Sequence, residues 1–254
     1  MRKYKYLLKA FCYLIIYIAI QSFFSFAFVY SIVGEISVGV TILSSIAAIL
    51  VFWGLSFITK DKFSDEILLK KPQKPSLLLL VIPLGISLQF VISALMNLLY
   101  YIPFLKPLFD SYAQSSSVLD VSFSAFSLIG FGICGPIAEE VLFRGYIYGN
   151  LKKCVKPPFA LLIQAFVFGL LHGNPLWILY ATVLGIVLGL LRDRFESIYA
   201  PLLLHCSFNM TSFLQTYVES ARNMVIYSVF GISFITAAFC LYMIFPDIPM
   251  KKPD

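Results

Sequence analysis

Ser122–Leu151 reads SFSAFSLIGFGICGPIAEEVLFRGYIYGNL. At ~1.5 Å of rise per residue the stretch is long enough to cross the ~30 Å hydrocarbon core of a bilayer. Its composition is that of a spanning helix, yet it carries Glu139, Glu140 and Arg144. A charged side chain at mid-bilayer costs about 2.5–3.5 kcal/mol even on insertion scales, so such groups turn toward a bundle interior or a water-filled cavity and mark functional sites. The stretch therefore predicts an all-α membrane protein with a polar site inside its helices.

The rest of the chain repeats the apolar pattern. Of its 254 residues, 60% are apolar and 13% charged, against roughly 25% charged in a soluble domain. The apolar segments are Leu7–Val33, Ile36–Thr59, Ser76–Ile102, Ser122–Leu151, Pro158–His172, Pro175–Leu191, Ser197–Tyr217 and Met224–Phe245. Most reach the ~17–25 residues that a span requires. Pro158–His172 is short, and with its successor it can form a helical pair turning at Gly173-Asn174-Pro175. The first segment is longer than the ~7–15 apolar residues of a signal peptide and lacks an A-x-A-like site, so a retained helix is expected there.

Charge placement tests the count of eight spans. With the N-terminus inside, alternation puts every one of the 19 lysines and arginines except Lys106, Arg144 and Arg222 on the cytoplasmic side. That is the bias of the positive-inside rule. It predicts eight transmembrane helices with both termini cytoplasmic, in the cell membrane. The net charge of +6 belongs to short loops at a lipid surface, without the interleaved aromatics of a nucleic-acid site. Pro103–Val121, with Asp110, Ser115-Ser116-Ser117 and Asp120, reads as a solvated outer loop.

No repeat or soluble domain interrupts the chain. Residues 1–254 form one integral membrane domain, with 122–217 as its motif-bearing core. Cys12, Cys134, Cys154, Cys206 and Cys240 are odd in number and make no C-x-x-C pair, so they read as small apolar packers. Gly145-x-x-x-Gly149 and Gly185-x-x-x-Gly189 read as close helix packing.

The chemistry-bearing residues cluster from Glu139 to Asn209. Glu140 and Arg144 are four apart and meet on one helix face, whereas Glu139 is turned away by about 100°. Glu140 is therefore assigned to structure and Glu139 to chemistry. Phe168 and His172 share a face of the fifth helix, and His205 and Asn209 share a face of the seventh. Two donors stacked by one turn can hold a single oxyanion if they converge on it. Counted from the basic side, Glu139 lies about 18 Å deep, His205 about 12 Å and His172 about 21 Å. A short or tilted fifth helix would bring His172 level with the others. A cavity joining them is expected to open on the basic side.

Glu139-Glu140-x-x-x-Arg144, Phe168-x-x-x-His172 and His205-x-x-x-Asn209 resemble, in order and helix placement, the three motifs of the CAAX protease and bacteriocin-processing enzyme family. This family is also called Abi and includes the type II CAAX prenyl endopeptidases. The resemblance implies an eight-helix intramembrane endopeptidase with a conical cavity open to the cytoplasm. It implies that Glu139 and His172 activate a water, that His205 and Asn209 hold the oxyanion, and that Glu140 and Arg144 support the site. Its substrate would be a peptide or protein at the membrane. A prenylated C-a-a-X tail is one class, and bacteriocin processing or self-immunity is the other.

Names in this family often carry the word metalloprotease, and Glu139, His172 and His205 would be the ligand set for zinc. The H-E-x-x-H spacing is absent, and no carboxylate is evident behind either histidine, where zinc ligands usually have one. A metal-free water-activating pair is the preferred reading, with zinc left open. Two rivals remain at this stage. One is a non-catalytic immunity or peptide-binding protein that uses the same cavity. The other is a proton-coupled carrier, disfavoured because no paired broken helices occupy corresponding halves of the chain.

Overall fold

The computed structural model describes residues 2–28, 35–117, 124–219 and 223–246, and no strand occurs among them. The helices are α1 (Arg2–Ala27), α2 (Glu35–Thr59), α3 (Leu78–Tyr100), α4 (Lys106–Ser117), α5 (Ala125–Leu151), α6 (Pro157–Leu170), α7 (Pro175–Phe195), α8 (Tyr199–Glu219) and α9 (Asn223–Ile244). Of these, α1, α2, α3, α5, α7 and α9 are the six long and apolar enough to cross a membrane. They make the chain a multi-pass membrane protein.

The expected eight spans thus become six by length and composition. α6 has only 14 residues, too few to cross the hydrocarbon core unaided. α8 has 21 residues but carries His205, Asn209, Thr211, Ser212 and Gln215, which lower its hydropathy. Pro103–Val121 also differs from the solvated loop that its polarity predicted. A tight turn at Pro103–Leu105 leads into α4, a 12-residue helix. Phe109 of α4 is buried, and Tyr112 meets Trp177 of α7 edge-on at 5.6 Å. Asp120 and Val121 of that expected loop, Arg222, and Lys251 and Lys252 lie outside the described residues.

Two apolar clusters build the bundle. Tyr13 and Tyr17 of α1, Phe52 of α2, and Leu142, Phe143 and Tyr146 of α5 form the first, with Phe168 of α6. Val81 and Leu84 of α3, Leu188 and Phe195 of α7, Leu204 of α8 and Ile244 of α9 belong to the second. α6 and α7 form the expected helical pair. Gly173 makes the turn at φ +75°, a conformation open to glycine at no steric cost. Asn174 then caps α7 by accepting from the Leu176 N–H at 3.0 Å, which satisfies one orphan donor of the helix start. Gly185-x-x-x-Gly189 works as packing: a Cβ on Gly185 would stand 3.0 Å from the Ala165 Cα, and one on Gly189 would meet Leu161.

Among the described residues, the loop lysines and arginines other than Lys106 gather at one end of the bundle. There Lys9 pairs with Asp61 at 2.7 Å and Glu66 at 3.0 Å, Lys152 with Asp193 at 2.8 Å, and Lys70 with Glu196 at 3.2 Å. Lys9 holds the Asp61 carboxyl below the usual carboxylate range, chiefly through that hydrogen bond. Ser197 Oγ donates to the Lys70 carbonyl at 2.7 Å, and Arg194 Nε to the Ile244 carbonyl at 2.7 Å.

Candidate active site

α5 is where the site is built, and its backbone departs from a regular helix on both sides of the two glutamates. Leu128–Cys134 and Val141–Ile147 are wound in wide π-type turns, with Gly135–Glu140 in α geometry between them. Such turns collect at functional sites because they displace side chains and free backbone groups. Gly132 lies within the first of these turns and Gly135-Pro136 directly after it, with the chain remaining helical.

One consequence is specific. The Gly135 N–H reaches five residues back to the Gly130 carbonyl, and Pro136 has no N–H. The Phe131 carbonyl is thereby left without a backbone donor. Asn209 Nδ2 of α8 supplies one at 3.0 Å. Asn209 is thus anchored with one amide hydrogen, and the other is available to a ligand.

Behind the cavity stands a buried ionic centre. Glu140 and Arg144 have no exposed side-chain surface. Arg144 Nη1 donates to Glu140 Oε1 at 2.7 Å, as the i, i+4 spacing predicts. Arg144 Nη2 donates to the Gly185 carbonyl at 3.3 Å, an oxygen shared with Gln164 Nε2 at 2.9 Å. The guanidinium also lies over the Phe168 ring, 4.5 Å from its centroid, where the π face attracts a cation.

Glu140 has a second partner that the sequence did not disclose. Its Oε1 lies 2.8 Å from His205 Nδ1. With Glu140 ionised, Nδ1 is the protonated donor there, and Nε2 is turned toward Glu139, whose Oε2 is 3.6 Å away. The expectation that neither histidine has a carboxylate behind it is therefore wrong for His205. Spacing within one helix could not reveal a bond between α5 and α8.

His172 lies just beyond the end of α6, and its Nδ1 pairs with the Phe168 carbonyl at 3.0 Å. Phe168 meets the His172 ring edge-on at 5.0 Å and the His205 ring at 5.7 Å. This one buried ring therefore separates and orients both imidazoles.

Glu139, His172, His205 and Asn209 all line one cavity of about 1320 Å³, larger than the ~300–1,000 Å³ of an ordinary small-ligand site. Phe168 lines it too, while Glu140, Arg144 and Cys206 do not. Residues not flagged by the sequence share the wall, among them Tyr17, Gln21, Gln89, Tyr180 and Gln215. Lone amides inside apolar helices, such as Gln89 and Gln215, were the available signal. These two bond each other at 2.9 Å across α3 and α8.

The cavity's lining extends toward the end of the bundle opposite the basic loops, whereas the sequence placed its opening on the basic side. Its lining includes Gln21 toward the end of α1, Thr41 early in α2, Tyr100 at the end of α3, Tyr112 of α4, and Trp177 at the start of α7. All of these lie away from the basic loops. Toward the basic loops the bundle is filled by Arg144, Tyr146, Tyr148, Leu191 and Phe195, all fully buried. Depth counted along helices carries no information on which end is packed shut.

The zinc set fits poorly. Among the described residues, no group of three or more His, Cys, Asp or Glu side chains is arranged to hold a metal ion. The Nδ1 of each histidine is engaged, His205 with Glu140 and His172 with the Phe168 carbonyl; ligating histidines usually have such backing, so these bonds do not themselves count against a metal.

Residues 121–211 match the family model described as type II CAAX prenyl endopeptidase Rce1-like. The core is similar to that family over those residues. The matched stretch holds all three motifs, from Glu139 to Asn209. A protein named putative membrane peptidase YdiL, from Bacillus subtilis, is 32% identical over 111 residues, covering 43% of this chain and 45% of that protein. The UPF0177 protein YaiH of Lactococcus lactis is 31% identical over 110 residues, covering 41% of this chain and 45% of that protein. The chain thus spans less than half the length of either relative. No solved structure matches it.

Proposed function

We propose that the protein is an intramembrane endopeptidase that hydrolyses a peptide bond of a membrane-associated substrate. One observation carries this reading: Glu139, His172, His205 and Asn209 line the same cavity, while Glu140 and Arg144 stand buried behind them. The Rce1-like match across residues 121–211 and the name of the Bacillus subtilis relative support it.

In the proposed reaction Glu139 and His172 hold a water. Glu139 takes one of its protons as the oxygen attacks the scissile carbonyl carbon. The resulting oxyanion is held by the free amide hydrogen of Asn209 and by His205, whose ring donates at both nitrogens, Nδ1 to Glu140 and Nε2 to the oxyanion. Glu139 then returns the proton to the amide nitrogen as the C–N bond breaks, leaving a carboxyl and an amine terminus. Glu140 positions His205, Arg144 balances Glu140, and Phe168 fixes the two rings. No step in this reaction is routed through a metal.

In this reading the chain crosses the membrane eight times. α6 is completed by the turn at Gly173, and α8 keeps its polar face on the cavity. The basic loops lie in the cytoplasm. The substrate class is either a prenylated C-a-a-X tail or a peptide tied to bacteriocin processing or immunity. The test compares peptide termini in host membranes with wild type and Glu139→Gln at equal expression. Termini present only with wild type support hydrolysis, and identical termini favour the rival reading, a non-catalytic peptide-binding protein.

A further inference from the structure

Resting on the endopeptidase reading, we infer that substrate enters from the membrane face opposite the basic loops, as an internal segment of an exported or outward-facing peptide. It does not enter as the free C-terminal carboxylate of a cytoplasmic tail.

The first support is the shape of the bundle relative to its charges. The basic loops are tied into one closed end by the ion pairs of Lys9, Lys70 and Lys152. Lysine and arginine in short loops mark the cytoplasmic side. The fully buried layer of Arg144, Tyr146, Tyr148 and Phe195 separates that end from the cavity. The lining of the cavity continues to the other end, at Gln21, Asn97, Tyr100, Tyr112 and Trp177, which places its mouth there in this inference. α4 is fixed at this mouth by the Tyr112–Trp177 contact and by Asn174, whose Nδ2 donates to Ser111 Oγ at 3.2 Å.

The second support is the chemistry of the wall. Glu139 is the one lining residue with a fixed ionisable acid group, and no lysine or arginine lines the cavity among the described residues. A buried carboxylate without a cation or a full set of donors is costly. Arg144 cannot serve, because its guanidinium is fully buried and bonded to Glu140 and Gly185. A chain terminus bearing a free carboxylate would therefore meet Glu139 with only the two histidine rings, among the described lining residues, able to carry an offsetting charge, and His205 is already paired with Glu140. The amides and phenols at the mouth suit the uncharged backbone of an internal segment, and a cationic side chain would be drawn toward Glu139.

Two measurements on the full-length protein in cells test this. Asn97→Cys and Lys71→Cys are exposed to a membrane-impermeant sulfonated maleimide, each read above the labelling of the wild type. The expected result is that Asn97→Cys labels in intact cells, while Lys71→Cys labels only after permeabilisation. The reverse pattern, or an Asn97→Cys that never labels, overturns the inference. In the terminus comparison, ends present only with wild type should fall on exported or outward-facing segments. Ends confined to cytoplasmic tails would overturn the inference and leave the endopeptidase reading standing. Absence of any wild-type-specific end, with the expected labelling, would sink the endopeptidase reading and leave the outward opening in place.

Discussion

His205 Nδ1 and Arg144 Nη1 meet on the same oxygen, Glu140 Oε1, at 2.8 Å and 2.7 Å. One buried carboxylate thus joins α5 to α8 and fixes which nitrogen of His205 faces Glu139. The two adjacent glutamates divide their work by direction: Glu140 points into the protein, and Glu139 points into the cavity.

Removing Glu140 should damage fold and site together. Glu140→Ala leaves the Arg144 guanidinium buried without its counter-charge, a loss of roughly 3–5 kcal/mol for a broken buried pair. The expected result is a lower unfolding temperature in detergent and low yield, with loss of cleavage even in the folded fraction. A variant with wild-type unfolding temperature and wild-type cleavage would contradict the role given to this carboxylate.

Pro136 and Asn209 are coupled through the Phe131 carbonyl. Asn209→Ala removes a proposed oxyanion donor and should lower kcat by about 10²–10³ with little change in KM. Pro136→Ala introduces an N–H able to bond the Phe131 carbonyl and compete with Asn209. It should also lower kcat, while the double variant should lose little beyond Asn209→Ala alone. Kinetics on a peptide spanning the identified cleavage site reads all three. Fully multiplicative losses would show that the two residues act separately.

Helix packing gives a test independent of chemistry. A Cβ on Gly85 would come 2.6 Å from the Leu204 carbonyl and would also strike Ser207, so α3 and α8 would have to separate. Gly85→Ala should destabilise by about 1–3 kcal/mol. A Cβ on Gly54 meets nothing within 4 Å, so Gly54→Ala should be neutral or stabilising by up to about 1 kcal/mol through helix propensity. Thermal unfolding of the two variants side by side decides it, and equal unfolding temperatures would count against the α3–α8 contact.

Contacts within a single helix were legible in the sequence, and those between helices were not. The Glu140–Arg144 pair and the joint faces Phe168/His172 and His205/Asn209 follow from i, i+4 geometry. The turn at Gly173-Asn174-Pro175 follows from residue chemistry. The His205–Glu140 and Asn209–Phe131 bonds depend on how α8 lies against α5, which periodicity does not encode. α4 was hidden because a polar, serine-rich stretch reads as loop until its buried Phe109 and its contact with Trp177 are seen. The direction in which the cavity's lining extends was hidden for a related reason. Helix depth locates a residue along the membrane normal, but only packing shows which end is filled.

The most direct measurement is the set of peptide termini in membranes and medium of host cells expressing wild type or Glu139→Gln at equal level, with unfolding temperatures matched. Glu139 borders the cavity with its side chain 26% exposed, so the amide should fit the same space and leave the fold intact. New termini should appear with wild type and vanish with Glu139→Gln. Undiminished appearance of those termini with Glu139→Gln would contradict the assignment of Glu139 as the base.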